Sequence, residues 1–220
     1  MAKIPIYCIP GLGSGPEIFK NLNLSEELYE VFTLKWIEPI SNQEEITDYA
    51  QRMCKHVIKE NPVLLGVSFG GIMAQEMGNH LNCKKIILIS SLKHQTEKPK
   101  IFKFLKVTKL YQLAPCSLIT NLERYRIFFI GVKLKRKFNN IKTYLNYRNK
   151  KQLQWAIKNT LLWQVKKESK NIVHIHGNKD GVFPIKHISN YIEINNGNHS
   201  MILTKAKEIS AIINRVLINN

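Results

Sequence analysis

The chain has 220 residues, of which 44% are hydrophobic and 22% charged, and its formal net charge is +17. This length and balance indicate one globular domain with a full core, and they exclude a long disordered chain. No apolar stretch approaches the roughly 20 residues of a membrane-spanning helix, and the N-terminal run is too short and too interrupted by proline for a signal peptide. The four cysteines lie far apart without a CxxC pair, so we expect reduced thiols, a cytoplasmic protein and no metal framework.

The positive charge is concentrated in one middle segment. Residues 92–170 contain 20 Lys and Arg against 3 Glu, which accounts for the whole net charge, and the rest of the chain is balanced. A lysine-rich genome would have charged the other parts of the chain as well, which favours a role for this segment. The alternative is that these lysines belong to ordinary covering helices and face solvent, as charged helix faces usually do.

Apolar runs alternate with helical patterns along the chain. Strands are predicted at 4–10, 31–39, 63–67, 85–91, 171–177 and 190–194. Helices are predicted from about residue 18, over 42–60 behind a capping box of Ser41 and Glu44, after the GVSFGG turn, and over 200–217. Nearly continuous apolar strands that alternate with helices indicate a parallel sheet covered on both faces. We therefore predict an α/β fold, with a three-layer, doubly wound and mostly parallel sheet of about six strands.

Residues 92–165 interrupt this alternation, because they contain no convincing strand. The helical pattern places three lysines on one stripe, at positions 103, 106 and 109. A further helix is predicted to have its apolar face at Leu118, Leu122, Tyr125 and Phe129. We predict a single domain over residues 1–220, with a helical lid over 92–165 inserted into it.

The turn GVSFGG, residues 66–71, lies between a predicted strand and a predicted helix. A serine hydroxyl is a poor nucleophile at neutral pH, and it needs a base, a group that orients the base, and donors for the oxyanion. The pattern Gly66-x-Ser68-x-Gly70 at a strand–helix junction is typical of a sharp turn that holds a nucleophilic serine. The alternative is a plain strand–helix turn, since Gly and Ser are common in turns.

The chain order Ser…Asp…His selects the partners of this serine. Only two aspartates are present: Asp48 lies in a helix before the serine, whereas Asp180 follows a buried strand in HGNKDGVFP. Among the seven histidines, His199 lies in the loop NNGNHSMI between the last strand and the last helix. The two histidines of HIHG alternate along a strand, where a core or strand-end role is expected. We therefore predict Asp180 and His199 as the partners of Ser68 in a catalytic triad.

Two backbone N–H groups are predicted to form the oxyanion hole. One belongs to Phe69, the residue after the nucleophile, and the other to Leu12 in the glycine-rich loop PGLGSG. Gly11 and Ser14 of that loop are predicted to line the substrate pocket, and a helix cap is the alternative role for Ser14. A phosphate cradle is a rival interpretation of the loop, but the loop has neither GxGxxG nor GK[ST] spacing. No cofactor and no metal are predicted.

These motifs resemble those of the α/β-hydrolase-fold serine hydrolases, over essentially the whole chain except the details of 92–165. PGLG, residues 10–13, stands where the family commonly has His-Gly-x-Gly; the backbone donor at Leu12 does not need the missing histidine. HGNKDGVFP, residues 176–184, resembles the family's HGxxDxxVP acid loop, with the valine one position early and Phe183 in its place. GNH, residues 197–199, resembles the family's Gly-x-His turn. The resemblance implies a small serine hydrolase with a lid after the fourth strand and without the two N-terminal antiparallel strands of longer members.

The leading hypothesis is a serine hydrolase that cleaves a carboxylic ester or thioester with an apolar acyl part, as an esterase, thioesterase or lysophospholipase does. The basic lid permits three partners: an anionic small molecule, the acidic carrier of an acyl thioester, or an anionic membrane surface. Two alternatives remain, namely an acyltransferase with the same triad and a non-catalytic protein that binds an anionic partner. Nucleic acid is not expected, because the segment contains no recognisable nucleic-acid module.

Overall fold

The computed structural model describes residues 2–108, 150–167 and 171–218. A six-stranded sheet is formed by β1 (Ile4–Ile9), β2 (Tyr29–Thr33), β3 (Val63–Val67), β4 (Lys85–Ile89), β5 (Ile172–Gly177) and β6 (Ile192–Ile194). Every pairing in this sheet is parallel, and the strand order is β2-β1-β3-β4-β5-β6. The chain passes from β1 outward to β2, returns to β3 on the other side of β1, and continues outward to β6. The predicted doubly wound parallel sheet of about six strands is confirmed.

The strands bury side chains on both faces of the sheet. In β1, Tyr7 and Ile9 enter one apolar cluster, whereas Ile6 and Cys8 enter the cluster on the opposite face. β3 and β4 alternate between the two clusters in the same way. Because both faces are buried, these strands have continuous apolar sequences rather than an alternation of polar and apolar residues.

Helices cover both faces of the sheet. Their bounds are α1 (Ile46–Cys54), α2 (Phe69–Gly78), α3 (Lys100–Thr108), α4 (Lys150–Leu162), α5 (Met201–Thr204) and α6 (Ala206–Ile218). α1, α2 and α4 contribute to the cluster that contains Tyr7, and α5 and α6 contribute to the cluster that contains Ile6. Across the described ranges, every helix is too short or too polar to span a bilayer.

The predicted starts and ends of several helices are wrong. The helix predicted from residue 42 begins at Ile46, without a capping box. The Ser41 hydroxyl instead closes a local turn with the N–H of Gln43, and Glu44 binds the Arg52 guanidinium. The predicted first helix is a single 3-10 turn, and the predicted closing helix is divided into α5 and α6. At the start of α1, these contacts of Ser41 and Glu44 replace the predicted capping box.

The described parts of the predicted lid, 92–108 and 150–165, contain helices and no strand. Position 109 and the predicted apolar face over 118–129 lie outside the described residues. α4 is fixed to the core through Trp155, whose ring stacks on Tyr49 with centroids 4.2 Å apart and whose Nε1–H donates to the Glu44 carbonyl at 2.8 Å. The end of the lid therefore rests on the same apolar cluster as α1 and α2.

Candidate active site

Ser68 lies between β3 and α2 in a backbone conformation that residues with a side chain rarely adopt. Its φ is 54° and its ψ is −119°. Such a conformation persists only where its surroundings fix it. Here the Ser68 N–H donates to the carbonyl of Ile89 at 2.9 Å, and the Ser68 carbonyl accepts from the Ser91 hydroxyl at 2.7 Å and the Gly71 N–H at 2.9 Å. β4 and the residues after it therefore hold the turn in place.

Gly66 and Gly70 provide space that any side chain would fill. A Cβ at Gly66 would lie 2.2 Å from the carbonyl oxygen of Gly70, and a Cβ at Gly70 would lie 2.2 Å from that of Ile9. Both neighbours are backbone atoms, which cannot rotate away as a side chain can. The two glycines thus permit β1, β3 and the start of α2 to approach closely, which is the physical reason for the Gly-x-Ser-x-Gly pattern.

The structure brings Ser68, His199 and Asp180 together in one hydrogen-bonded row. Ser68 Oγ lies 2.9 Å from His199 Nε2, and His199 Nδ1 lies 3.0 and 2.8 Å from the two carboxylate oxygens of Asp180. Because an ionised carboxylate only accepts, Nδ1 carries the imidazole proton and Nε2 can accept from the serine hydroxyl. A general base that activates a serine needs this arrangement.

The three side chains come from loops at the carboxyl edge of the sheet. Ser68 follows β3, Asp180 follows β5 and His199 follows β6. The loop after β1 also reaches this edge, since a Cβ at Gly11 would lie 3.6 Å from the Cβ of Ser68. The strand order reverses between β1 and β3, and such switch points are where open α/β sheets form their binding crevices.

Asp180 is buried, and its Oδ1 accepts from the N–H groups of Val182 and Phe183 at 2.8 and 3.0 Å. Burial by itself would raise the pKa of this carboxyl. The charge of His199, its hydrogen bond and the Phe183 N–H outweigh burial and hold the pKa of Asp180 below its usual value. Asp180 is therefore ionised at neutral pH and can stabilise a positively charged imidazole.

The residues of the two predicted oxyanion donors belong to the two turns that meet at Ser68. Phe69 is the first residue of α2, and Leu12 lies in the turn after β1. Among the described residues, neither N–H donates a hydrogen bond to another group of the protein. Ser14 does not cap the 3-10 turn that follows, because Gly15 occupies the cap position and no side chain bonds there.

A partly open cavity with about 230 Å³ of empty space adjoins both predicted donors. Its walls are Leu12, Gly13, Trp36, Phe69, Gln152, Leu153 and Ala156. The last three belong to α4, so the lid supplies one wall of the cavity. Gly11 and Ser14, which were predicted to line the pocket, are not among these residues; Gly11 lies against Ser68 instead. Within the described ranges, no group of three or more His, Cys, Asp or Glu side chains could hold a metal ion.

The two histidines of β5 support the Asp180 loop, a role that sequence reasoning missed. His176 Nε2 lies 2.8 Å from the Phe183 carbonyl and 3.6 Å from Asp180 Oδ2, and its Nδ1 lies 3.2 Å from His174 Nε2. Because a carbonyl only accepts, Nε2 of His176 carries the proton and Nδ1 accepts from His174. Burial lowers the pKa of His176 and lowers that of His174 to about 3, so both rings are neutral at pH 7.

His176 also reaches the base indirectly. It fixes the Phe183 carbonyl, and the Phe183 ring packs edge-on against the His199 ring with centroids 5.2 Å apart. The only sequence signal for this role is a pair of histidines inside an otherwise apolar strand. No motif identifies Ser91, although its hydroxyl holds the Ser68 carbonyl.

Several solved structures share this architecture over nearly the whole chain. MenH from S. aureus has a TM-score of 0.73 and 16% sequence identity, covering 100% of this chain and 95% of its own. The enol-lactonase from Burkholderia xenovorans has a TM-score of 0.71 and 9% identity, with 99% and 92% of the two chains covered. A lipase-esterase related protein from Clostridium acetobutylicum has a TM-score of 0.70 and 16% identity, with 96% and 93% covered.

The chain has the α/β-hydrolase fold. The resemblance predicted from the motifs is confirmed at the level of the fold, which is all that likeness at these identities establishes. No protein-family model and no curated protein sequence matches the chain. The activity of this α/β-hydrolase-fold protein must therefore be argued from its own site.

Proposed function

We propose that this protein is a serine hydrolase that cleaves a carboxylic ester or thioester through an acyl-enzyme. The observation that carries the proposal is the row of hydrogen bonds from Ser68 Oγ through the His199 ring to Asp180, at 2.9 and 2.8 Å. The strained φ of Ser68 and the buried, ionised carboxylate of Asp180 support it as well. Two structural neighbours, by name an enol-lactonase and a lipase-esterase related protein, are consistent with ester cleavage.

The proposed reaction has two halves. Ser68 Oγ attacks the acyl carbon while its proton passes to His199 Nε2, and Asp180 stabilises the resulting imidazolium. The N–H groups of Leu12 and Phe69 bind the oxyanion. The tetrahedral intermediate then expels the alcohol or thiol, which takes the proton from His199. In the second half, water gives a proton to His199 and attacks the acyl carbon, which releases the acid and restores Ser68.

The cavity beside the proposed oxyanion hole suits the acyl part of the substrate. Its walls are mostly apolar, and Trp36 is held by stacking on Phe69 at 5.3 Å and by donating to the Gly11 carbonyl at 3.4 Å. Ala156 of α4 forms part of this wall, so the side chain at this position faces the space proposed for the acyl group.

Labelling with a fluorophosphonate probe, read by intact mass and peptide mapping, tests the proposal. Wild type should gain one adduct on Ser68, whereas Ser68→Ala and His199→Ala should not react. Ser25→Ala is the matched control, because Ser25 lies before β2, away from the site, and should leave labelling unchanged. Wild type should also hydrolyse p-nitrophenyl acetate. A folded wild type that neither reacts nor hydrolyses this ester would leave a non-catalytic binding protein as the better account.

A further inference from the structure

Helix α3, at the start of the predicted lid, carries apolar side chains that the described core does not cover. Ile101, Phe104 and Val107 are 54%, 55% and 81% exposed, and no residue of α3 is buried. The other large exposed apolar residues of the described chain are scattered over loops, an edge strand and the last helix. Clustered exposure of this kind marks an interaction surface more often than isolated exposure does.

Three lysines accompany these side chains. At 3.6 residues per turn, Ile101, Phe104 and Val107 fall within an arc of about 120°. Lys103 lies about 40° beyond one edge of this arc, and Lys106 lies about 100° beyond it, toward the opposite side of the helix. Lys100 lies within the arc, and all three lysines are exposed. α3 itself contains no acidic residue. The nearest carboxylate in the sequence, Glu97, is buried and engaged with backbone N–H groups, so it does not neutralise this face.

We propose that α3 docks the protein on an anionic lipid surface. In this arrangement Ile101, Phe104 and Val107 enter the headgroup region, and Lys100 and Lys103 bind lipid phosphates. An apolar face bordered by lysines is typical of helices that lie in the plane of a membrane interface. A second copy of the chain fits less well, because it would bring lysine against lysine in a protein of net charge +17.

The proposed docking face is close to the candidate active site. Phe102, on the opposite side of α3, packs edge-on against Phe183 with ring centroids 6.1 Å apart, and Phe183 packs against His199. A lipid surface bound by α3 would therefore lie about one helix diameter, roughly 10 Å, beyond the ring of Phe183. We infer that acyl esters reach the site from this surface. This last step rests on the proposed function, whereas the docking itself does not require Ser68 to react.

Co-sedimentation with vesicles measures the docking directly. Wild type should bind vesicles of equal parts phosphatidylcholine and phosphatidylglycerol, bind phosphatidylcholine alone weakly, and be released by salt. The double variant Ile101→Ser/Phe104→Ser should bind roughly tenfold more weakly or worse, and Lys103→Gln about fivefold more weakly. Ile58→Ser is the matched control, because Ile58 is 76% exposed in a loop after α1 and should leave binding unchanged. All variants should keep the wild-type melting temperature.

Three results would overturn the proposal. The first is a wild type that does not bind the vesicles containing phosphatidylglycerol. The second is a double variant that binds as wild type does, which would assign binding to other basic residues. The third is self-association that Phe104→Ser abolishes in sedimentation velocity, which would assign the face to a second copy. Turnover of p-nitrophenyl acetate is measured in parallel. If wild type hydrolyses the ester but does not bind vesicles, only the docking inference is contradicted. If wild type binds vesicles but Ser68 is not labelled by the fluorophosphonate, only the proposed function is contradicted.

Discussion

Replacing Asp180 with asparagine tests the proposed proton path more sharply than removing the side chain. Oδ1 of Asp180 accepts from the N–H groups of Val182 and Phe183, so the asparagine oxygen must occupy that position. Its NH2 group then takes the place of Oδ2, which lies 2.8 Å from His199 Nδ1. Because NH2 only donates, its contact with Nδ1 favours the tautomer that carries the ring proton on Nε2, where it faces Ser68 Oγ at 2.9 Å. The asparagine oxygen, 3.0 Å from Nδ1, competes for a proton on Nδ1, but it already accepts from two backbone N–H groups.

This change of tautomer removes the acceptor for the serine proton while leaving the rest of the site in place. An aspartate in this role contributes about 10⁴-fold to kcat. At about 1.36 kcal/mol for each factor of ten, the loss corresponds to roughly 5 kcal/mol of transition-state stabilisation. KM should change little, because asparagine has the same shape as aspartate and the position does not line the cavity.

The measurements are kcat and KM for p-nitrophenyl acetate and the rate of fluorophosphonate labelling. Asp48→Asn is the matched control, because Asp48 is the only other aspartate in the chain and lies in the first turn of α1. It should leave both rates unchanged. If Asp180→Asn keeps a kcat within about tenfold of wild type at an unchanged melting temperature, the assignment of Asp180 as the orienting acid is wrong.

Three further substitutions probe the turn, the cavity and the buried histidines. Gly70→Ala would place a Cβ 2.2 Å from the Ile9 carbonyl, so we expect a lower melting temperature and no labelling; wild-type values for both would contradict the close approach. Ala156→Leu fills part of the cavity and should lower kcat/KM for a butyrate ester roughly tenfold more than for an acetate ester; equal losses would mean that the acyl group lies elsewhere. Burial lowers the pKa of His174 from 6.5 to about 3. Between pH 6.5 and about 3, the unfolded state therefore binds more protons than the folded state, and the free energy of unfolding falls as the pH drops. His174→Gln removes the titrating group, and denaturant unfolding at stepped pH should show a shallower decline than wild type; an equal decline would assign the acid sensitivity to other groups.

The sheet and the three proposed catalytic residues were predictable because their signals are local or depend only on chain order. Strands buried on both faces must be apolar throughout, and this property is visible in the sequence itself. Ser68 is marked by its glycines, at which a Cβ would lie only 2.2 Å from a neighbouring carbonyl oxygen. Asp180 and His199 follow in the expected order, each in a loop after a strand. Parallel pairing then brings these distant loops to one edge of the sheet.

The supporting contacts were not predictable, because they depend on which elements become neighbours. Ser91 reaches the Ser68 carbonyl only because β4 pairs with β3. His176 reaches the Phe183 carbonyl only because the loop after β5 folds back on its own strand. The predicted start of α1 was wrong for a similar reason. The side chain expected in a capping box, Glu44, instead binds Arg52, eight residues later in the chain. A single sequence carries no periodic signal for such contacts.

The two ends of the described lid are tied to the elements that carry the site, which determines how the lid should be tested. Trp163, after α4, donates to Glu76 in α2 at 2.7 Å, and both side chains are buried. Phe102, in α3, packs against Phe183 beside His199. Deleting the lid would leave the Glu76 carboxylate without its partner in an apolar core, and it would remove the contact that holds Phe183 beside His199. Each of these effects lowers activity for structural reasons. Substitutions on the outer face of α3 avoid both effects, so they alone can separate a docking role of the lid from its support of the active site.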